Sequence, residues 1–147
     1  MSFLCFDIET VPQARYLDPL AWPPGPHPEG WEDDVRAGRA EVWATHVPAA
    51  LHSSTCLIVQ VSFGWRQNGE IKTAMMQSDG YGAPENAAAE AEAALVTDAL
   101  GMLARATGKR SAIVSFNGKS FDLPTIRGRA ALLRLKVPAI PWRRLLY

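Results

Sequence analysis

Asn68-Gly69 lies between two strand-like runs, and this pair constrains the fold more than any other feature of the chain. Residues 56–65, Cys-Leu-Ile-Val-Gln-Val-Ser-Phe-Gly-Trp, are rich in β-branched and aromatic side chains, and residues 71–76 form a second such run. Asn-Gly accepts the two positive φ angles of a tight turn at little cost, so the runs predict an antiparallel hairpin. Residues 2–8, Ser-Phe-Leu-Cys-Phe-Asp-Ile, read as a buried first strand that ends at Thr10-Val11-Pro12. Residues 112–116, Ala-Ile-Val-Ser-Phe, read as a fourth. Between hairpin and fourth strand, residues 84–107 are alanine-rich, carry Glu85, Glu90 and Glu92 in their first half, and close on Gly108-Lys109-Arg110. This pattern predicts a long helix, with Leu95, Val96, Ala99, Leu100 and Leu103 on its buried face. A helix between strands supplies the crossover that parallel pairing requires. The expected fold is therefore α/β: a mixed sheet of three antiparallel strands plus a fourth parallel to the first, with flanking helices.

The remaining segments fit around that sheet. Prolines at 12, 19, 23, 24, 26 and 28 rule out a helix or central strand and predict a long Pro-rich insertion after the first strand. Residues 31–44 predict a short helix, with Glu32, Asp33 and Asp34 suited to its N-terminal dipole. Residues 117–120 read as a loop. A last helix is expected from Pro124 to about residue 135, and Pro138 and Pro141 break any regular structure after it.

A chain of 147 residues, 48% hydrophobic and 20% charged, fits a single soluble domain spanning 1–147. No apolar run reaches the length of a membrane span, and the N-terminus lacks the basic start of a signal peptide. Cys5 and Cys56 each fall in a strand run and read as buried free thiols, which points to a reducing, cytoplasmic setting. All 15 acidic residues lie at or before Asp122. Beyond it come Arg127, Arg129, Arg134, Lys136, Arg143 and Arg144 and no acid, a distribution that suits a phosphate backbone as well as a solvated face.

The chemistry resides in the acids near the strand ends. Asp7 and Glu9 occupy positions i and i+2 of the first strand and point to one face. Two like charges on one face repel, and hard carboxylate oxygens suit Mg²⁺ or Mn²⁺. A lone Asp-x-Glu is more often simply the solvated end of a strand. Asp122 comes after the fourth strand by a short loop, where it reads either as a helix cap or as a third ligand. If the first and fourth strands are parallel neighbours, their C-terminal ends share one edge, and open α/β sheets place their sites there.

Phe-Asp-Ile-Glu-Thr at residues 6–10 resembles the first exonuclease motif of the DEDD superfamily. Ser-Phe-Asn-Gly-Lys-Ser-Phe-Asp-Leu-Pro-Thr-Ile-Arg-Gly-Arg-Ala at residues 115–130 resembles its second motif in the family-B DNA polymerase form. The group of predicted polymerase-B-like 3′–5′ exonucleases is the nearest resemblance. It implies an RNase H-like fold and hydrolysis of terminal phosphodiester bonds of single-stranded DNA, with RNA as the alternative, by two divalent cations, Mg²⁺ or Mn²⁺. By that resemblance Asp7 bridges both metals, Glu9 binds the one that activates water, and Asp122 helps hold the other. Thr10, Asn117 and Phe121 would contact the terminal nucleotides, and Arg127 the phosphates. The chain departs from the superfamily in one respect: no acid comes after Asp122, so the third motif, an Asp preceded by Tyr or His, is absent. The expectation is a C-terminally truncated domain whose last strand and helix are missing or incomplete, and which cuts DNA poorly or not at all. The other expectation is a non-catalytic nucleic-acid-binding module on the same fold.

Overall fold

The computed structural model describes residues 3–13, 51–80 and 84–146. Most of the Pro-rich insertion and the helix expected at residues 31–44 lie outside the described residues. The described elements, in chain order, are β1 (Phe3–Pro12), β2 (Cys56–Gln67), β3 (Glu70–Gln77), α1 (Glu85–Gly108), β4 (Ala112–Val114), α2 (Asp122–Leu132) and α3 (Trp142–Leu146). The strands form one mixed sheet in the order β3-β2-β1-β4. β1 and β3 run antiparallel to β2, and β4 runs parallel to β1. This is the α/β sheet expected from the sequence. Among the described residues no helix is long and apolar enough to cross a membrane.

The hairpin turns at Asn68 and Gly69, with φ of 52° and 85°, and Gln67 faces Glu70 across it. These are the two positive φ values of the tight turn. Along β1, Leu4, Phe6 and Ile8 are buried, while Cys5, Asp7 and Glu9 are exposed. The strand is therefore half-buried, and Cys5 is an exposed thiol, contrary to the expectation of a buried one. Period-two alternation is the reason: Cys5 shares its face with Asp7. Leu4, Phe6 and Ile8 pair with Trp65, Phe63 and Val61, and the Phe6 and Phe63 rings sit 5.5 Å apart. The register slips between Glu9 and Thr10: Glu9 faces Gln60, whereas Thr10 faces Ile58. β2 holds the extra residue, Val59. Its inward positions accordingly change phase, from Cys56 and Ile58 to Val61 and Phe63.

α1 covers the inner face. Leu95, Val96, Ala99, Leu100 and Leu103 are all buried against the sheet, as their spacing predicts. Each such Leu or Val contributes about 1.5–3 kcal/mol relative to exposure. Leu123, Ile126 and Ala130 of α2 complete the core. α1 closes with hydrogen bonds from Ser111 N–H to Ala106 C=O and from Arg110 N–H to Thr107 C=O. The left-handed residue at this end is Arg110 (φ 57°), not Gly108, which stays within the helix.

Three further boundaries differ from expectation. β4 is three residues long, because Ser115 and Phe116 leave the sheet. α2 starts at Asp122, two residues before Pro124, so Pro124 still falls in the first turn, where no N–H is needed. α3 is a short helix after Pro141 that no periodicity announces.

Candidate metal and nucleic-acid site

β4 ends at Val114, opposite Cys5. Asp7 therefore lies two residues beyond the last β1–β4 pair, where the chain from Ser115 to Phe121 turns away and back. That turn is held by hydrogen bonds from Ser120 N–H and Phe121 N–H to Asn117 C=O, and from Leu123 N–H to Gly118 C=O. It delivers Asp122 as the first residue of α2.

The two acids meet. Burial raises the Asp122 carboxyl above its usual value, the hydroxyl of Ser115 lowers it in part, and the negative charge of Asp7 raises it again. Asp122 is only 3% exposed. It does not cap α2, whose N-terminus carries no side-chain hydrogen bond. Its carboxylate instead accepts a short hydrogen bond from Ser115 Oγ. Asp7 and Glu9 stand exposed on the outer face of β1. Among the described residues no basic side chain pairs with any of the three carboxylates.

The fit to a divalent cation can be judged on these groups. Asp7 and Asp122 are hard oxygen donors whose mutual repulsion no basic side chain relieves among the described residues, which suits Mg²⁺ or Mn²⁺. Glu9 stands two residues along the same face, about 7 Å further on. Among the described residues, however, no three His, Cys, Asp or Glu side chains are gathered into a ligating group. The arrangement as it stands is Asp7 and Glu9 on one face of β1 and Asp122 at the adjoining strand end, where the charge of Asp7 is felt.

The other predicted residues occupy distinct settings. Thr10 is half-buried, immediately past the register slip. Asn117 is exposed on the turn, and Arg127 is exposed on α2. Phe121 is half-buried and packs against the core. Arg129, counted among the basic tail, is turned inward instead: it is buried, with Nε donating to Glu92 Oε1 at 2.7 Å and Nη2 donating to Oε2 at 2.5 Å.

Three residues, two of them at the turn before Asp122, escape sequence reasoning. Phe116, beside Asn117, is fully exposed. It reads as the last apolar residue of a strand, and only the early end of β4 puts it in water. Ser115 carries no local signal for its bond to Asp122. Glu92 looks like one of several helix-surface acids, although its spacing to Leu95, Val96, Ala99 and Leu103 places it on the buried face.

A cleft of about 600 Å³ lies beside the same turn, along the outer edge of β4, and is lined in part by Val114, Phe116, Asn117, Lys119 and Leu145. Comparison of the chain with protein-family models, curated proteins and solved structures yields no match.

Proposed function

We propose that this chain carries the divalent-metal site of a 3′–5′ exonuclease on an RNase H-like fold, acting on the terminal phosphodiester of single-stranded DNA. The observation that supports it best is the parallel pairing of β4 with β1 as far as Cys5 and Val114, which brings the turn leading to Asp122 to the end of β1 that carries Asp7, 115 residues earlier in the sequence. The strand order β3-β2-β1-β4, with β4 parallel to β1, supports the RNase H-like reading of the sheet.

In this reading Asp7 and Asp122 hold the metal, and Glu9 joins them by rotation of its longer side chain. Bound divalent cations would stabilise the attacking and leaving oxygens of an in-line displacement. The chain's own residues bind and orient the strand. The exposed ring of Phe116 offers a face for a terminal base, a contact worth about 1–3 kcal/mol that any base can make. Phe121 flanks the same turn, the Asn117 amide contacts base or sugar, and Thr10 lines the strand end. Arg127 and Lys119 are exposed cations suited to backbone phosphates.

A second reading, a module that binds single strands without cutting them, is favoured by one observation: the fully exposed Phe116 ring and Lys119 line the cleft beside the turn, a stacking face next to a cation. Two measurements on the 147-residue chain separate the readings. Mn²⁺ titration is expected to show binding that Asp7→Ala abolishes, and absence of binding refutes the metal site. Nucleotide release from labelled single-stranded DNA is expected to be weak. Release lost in Asp7→Ala supports the nuclease, whereas strand binding without release supports the module.

A further inference from the structure

The geometry points to Ser115 as a positioning residue that holds the Asp122 carboxylate in the orientation from which it shares a divalent cation with Asp7, with Gly118 present to admit it. This rests on the metal-site reading above.

Asp122 occupies the first turn of α2, next to the N-cap residue Phe121, and its side chain bonds to none of the helix's free N–H groups. Ser115, the first residue after β4, donates its hydroxyl to Asp122 Oδ2, and this is the side-chain hydrogen bond Asp122 makes among the described residues. The bond spans the turn that separates strand from helix and fixes the carboxylate plane. It leaves Oδ1 as the oxygen not engaged by Ser115.

Gly118 lets Ser115 lie close against the turn, its clearance being chiefly from the Ser115 Cβ. A Cβ built there would stand 2.7 Å from Ser115 Cβ and 3.2 Å from its Oγ, closer than side chains approach one another. The glycine is buried, and no positive φ demands it. Its lack of a side chain is needed because Ser115 occupies that space. The Gly118 carbonyl also accepts the N–H of Leu123, the residue after Asp122, at 2.9 Å. One turn thus sets both the backbone and the side chain of the acid. Groups that orient a metal ligand without touching the metal typically govern affinity by about 10- to 100-fold.

The test is Mn²⁺ affinity, by calorimetry on the full chain, for wild type, Ser115→Ala and Ser115→Thr, alongside metal-free thermal midpoints. Ser115→Ala is expected to weaken Mn²⁺ binding about 10- to 100-fold and to lower the metal-free midpoint near neutral pH, because the buried Asp122 carboxyl loses its hydrogen bond, while the protein stays folded at the assay temperature. Ser115→Thr, which keeps the hydroxyl, is expected to restore the binding. Wild-type affinity in Ser115→Ala overturns the proposal alone. Failure of the wild type to bind Mn²⁺ overturns the metal-site reading and the proposal with it. Should Ser115→Ala not fold, scalar couplings of the Asp122 side chain in metal-free wild type decide the matter. A single χ1 rotamer supports the proposal, and averaging among rotamers overturns it.

Discussion

Arg129 closes on Glu92 as a fork on a carboxylate, Nε to Oε1 at 2.7 Å and Nη2 to Oε2 at 2.5 Å, with both side chains withdrawn from water. The pair ties three elements together. Glu92 Oε1 also accepts the N–H of Ile58 at 2.9 Å, beside the bulge opposite Glu9. Arg129 Nη1 donates to the carbonyl of Ser53 at 3.1 Å. Breaking one partner of a buried pair leaves an uncompensated charge, which costs about 3–5 kcal/mol. Arg129→Met is expected to destabilise the chain by that amount in urea unfolding. Adding Glu92→Met is expected to recover part of the loss, short of wild type because Ile58 and Ser53 remain unpaired. A loss under about 1 kcal/mol for Arg129→Met would place the pair among exposed ion pairs.

The two cysteines differ in environment and should differ in reactivity. Cys5 is exposed, whereas Cys56 is buried and its thiol is pushed up to about 11, chiefly by burial, with Glu92 adding to the rise and Arg129 opposing it. A chromogenic disulfide reagent at about pH 8, below the ordinary thiol value, is therefore expected to titrate one thiol in the native protein and two in denaturant. Cys5→Ser should abolish the native signal. Two rapid equivalents in the native state would contradict the placement of Cys56.

Local patterning made the sheet legible. The Asn68-Gly69 turn, the β2 and β3 runs and the buried face of α1 arise from periods of two and 3.6 that neighbouring residues carry. The alternation of buried Leu4, Phe6 and Ile8 places Cys5 on the exposed face beside Asp7, although the run as a whole is apolar. The features that stayed illegible depend on distant partners. Arg129 reads as one more basic residue of the tail because Glu92 lies 37 residues away. Asp7 and Glu9 could be placed on one face from the sequence, and the crossover helix predicted the parallel β1–β4 pairing that puts Asp122 at the same sheet edge. The length of β4 is set by the turn after it, so the exposure of Phe116 had no signal in the strand itself.

Both longer helix ends use an arginine in left-handed geometry. Arg110 has φ 57° and Arg134 has φ 55°, and after each the next residue bonds back to the fifth before it, Ser111 to Ala106 and Leu135 to Ala130. A residue with a Cβ loses about 1–2 kcal/mol in this conformation, and glycine's extra freedom in the unfolded chain takes back part of the gain. Arg110→Gly and Arg134→Gly are each expected to stabilise the chain by about 0.5–1 kcal/mol, additively, since they sit at separate sites. Chemical denaturation of the single and double variants checks this. A loss of stability would mean that the arginine side chains make contacts worth more than the backbone cost.

Asp122 makes metal-free stability depend on pH in a defined direction. Its folded carboxyl is raised, by burial first and by the charge of Asp7 in addition, against the lowering effect of Ser115. The folded state therefore holds this proton more tightly than the unfolded chain does. The resulting contribution to stability is complete below the usual value of 3.8 and is lost as pH rises through the raised folded value. Above the usual value, therefore, the buried carboxyl is a burden on the fold. Asp122→Asn keeps an acceptor for Ser115 and removes the charge, so its melting temperature near neutral pH should exceed that of the wild type, and the gap should close below pH 3.8. Asp7→Asn should narrow the same gap by removing the neighbouring charge. Mn²⁺ should reverse the order, because a ligand that binds only the folded state raises the wild-type melting temperature and cannot do so where its carboxylate is gone. An Asp122→Asn melting temperature below the wild type near neutral pH without metal would show that the carboxylate is stabilised by partners other than a cation.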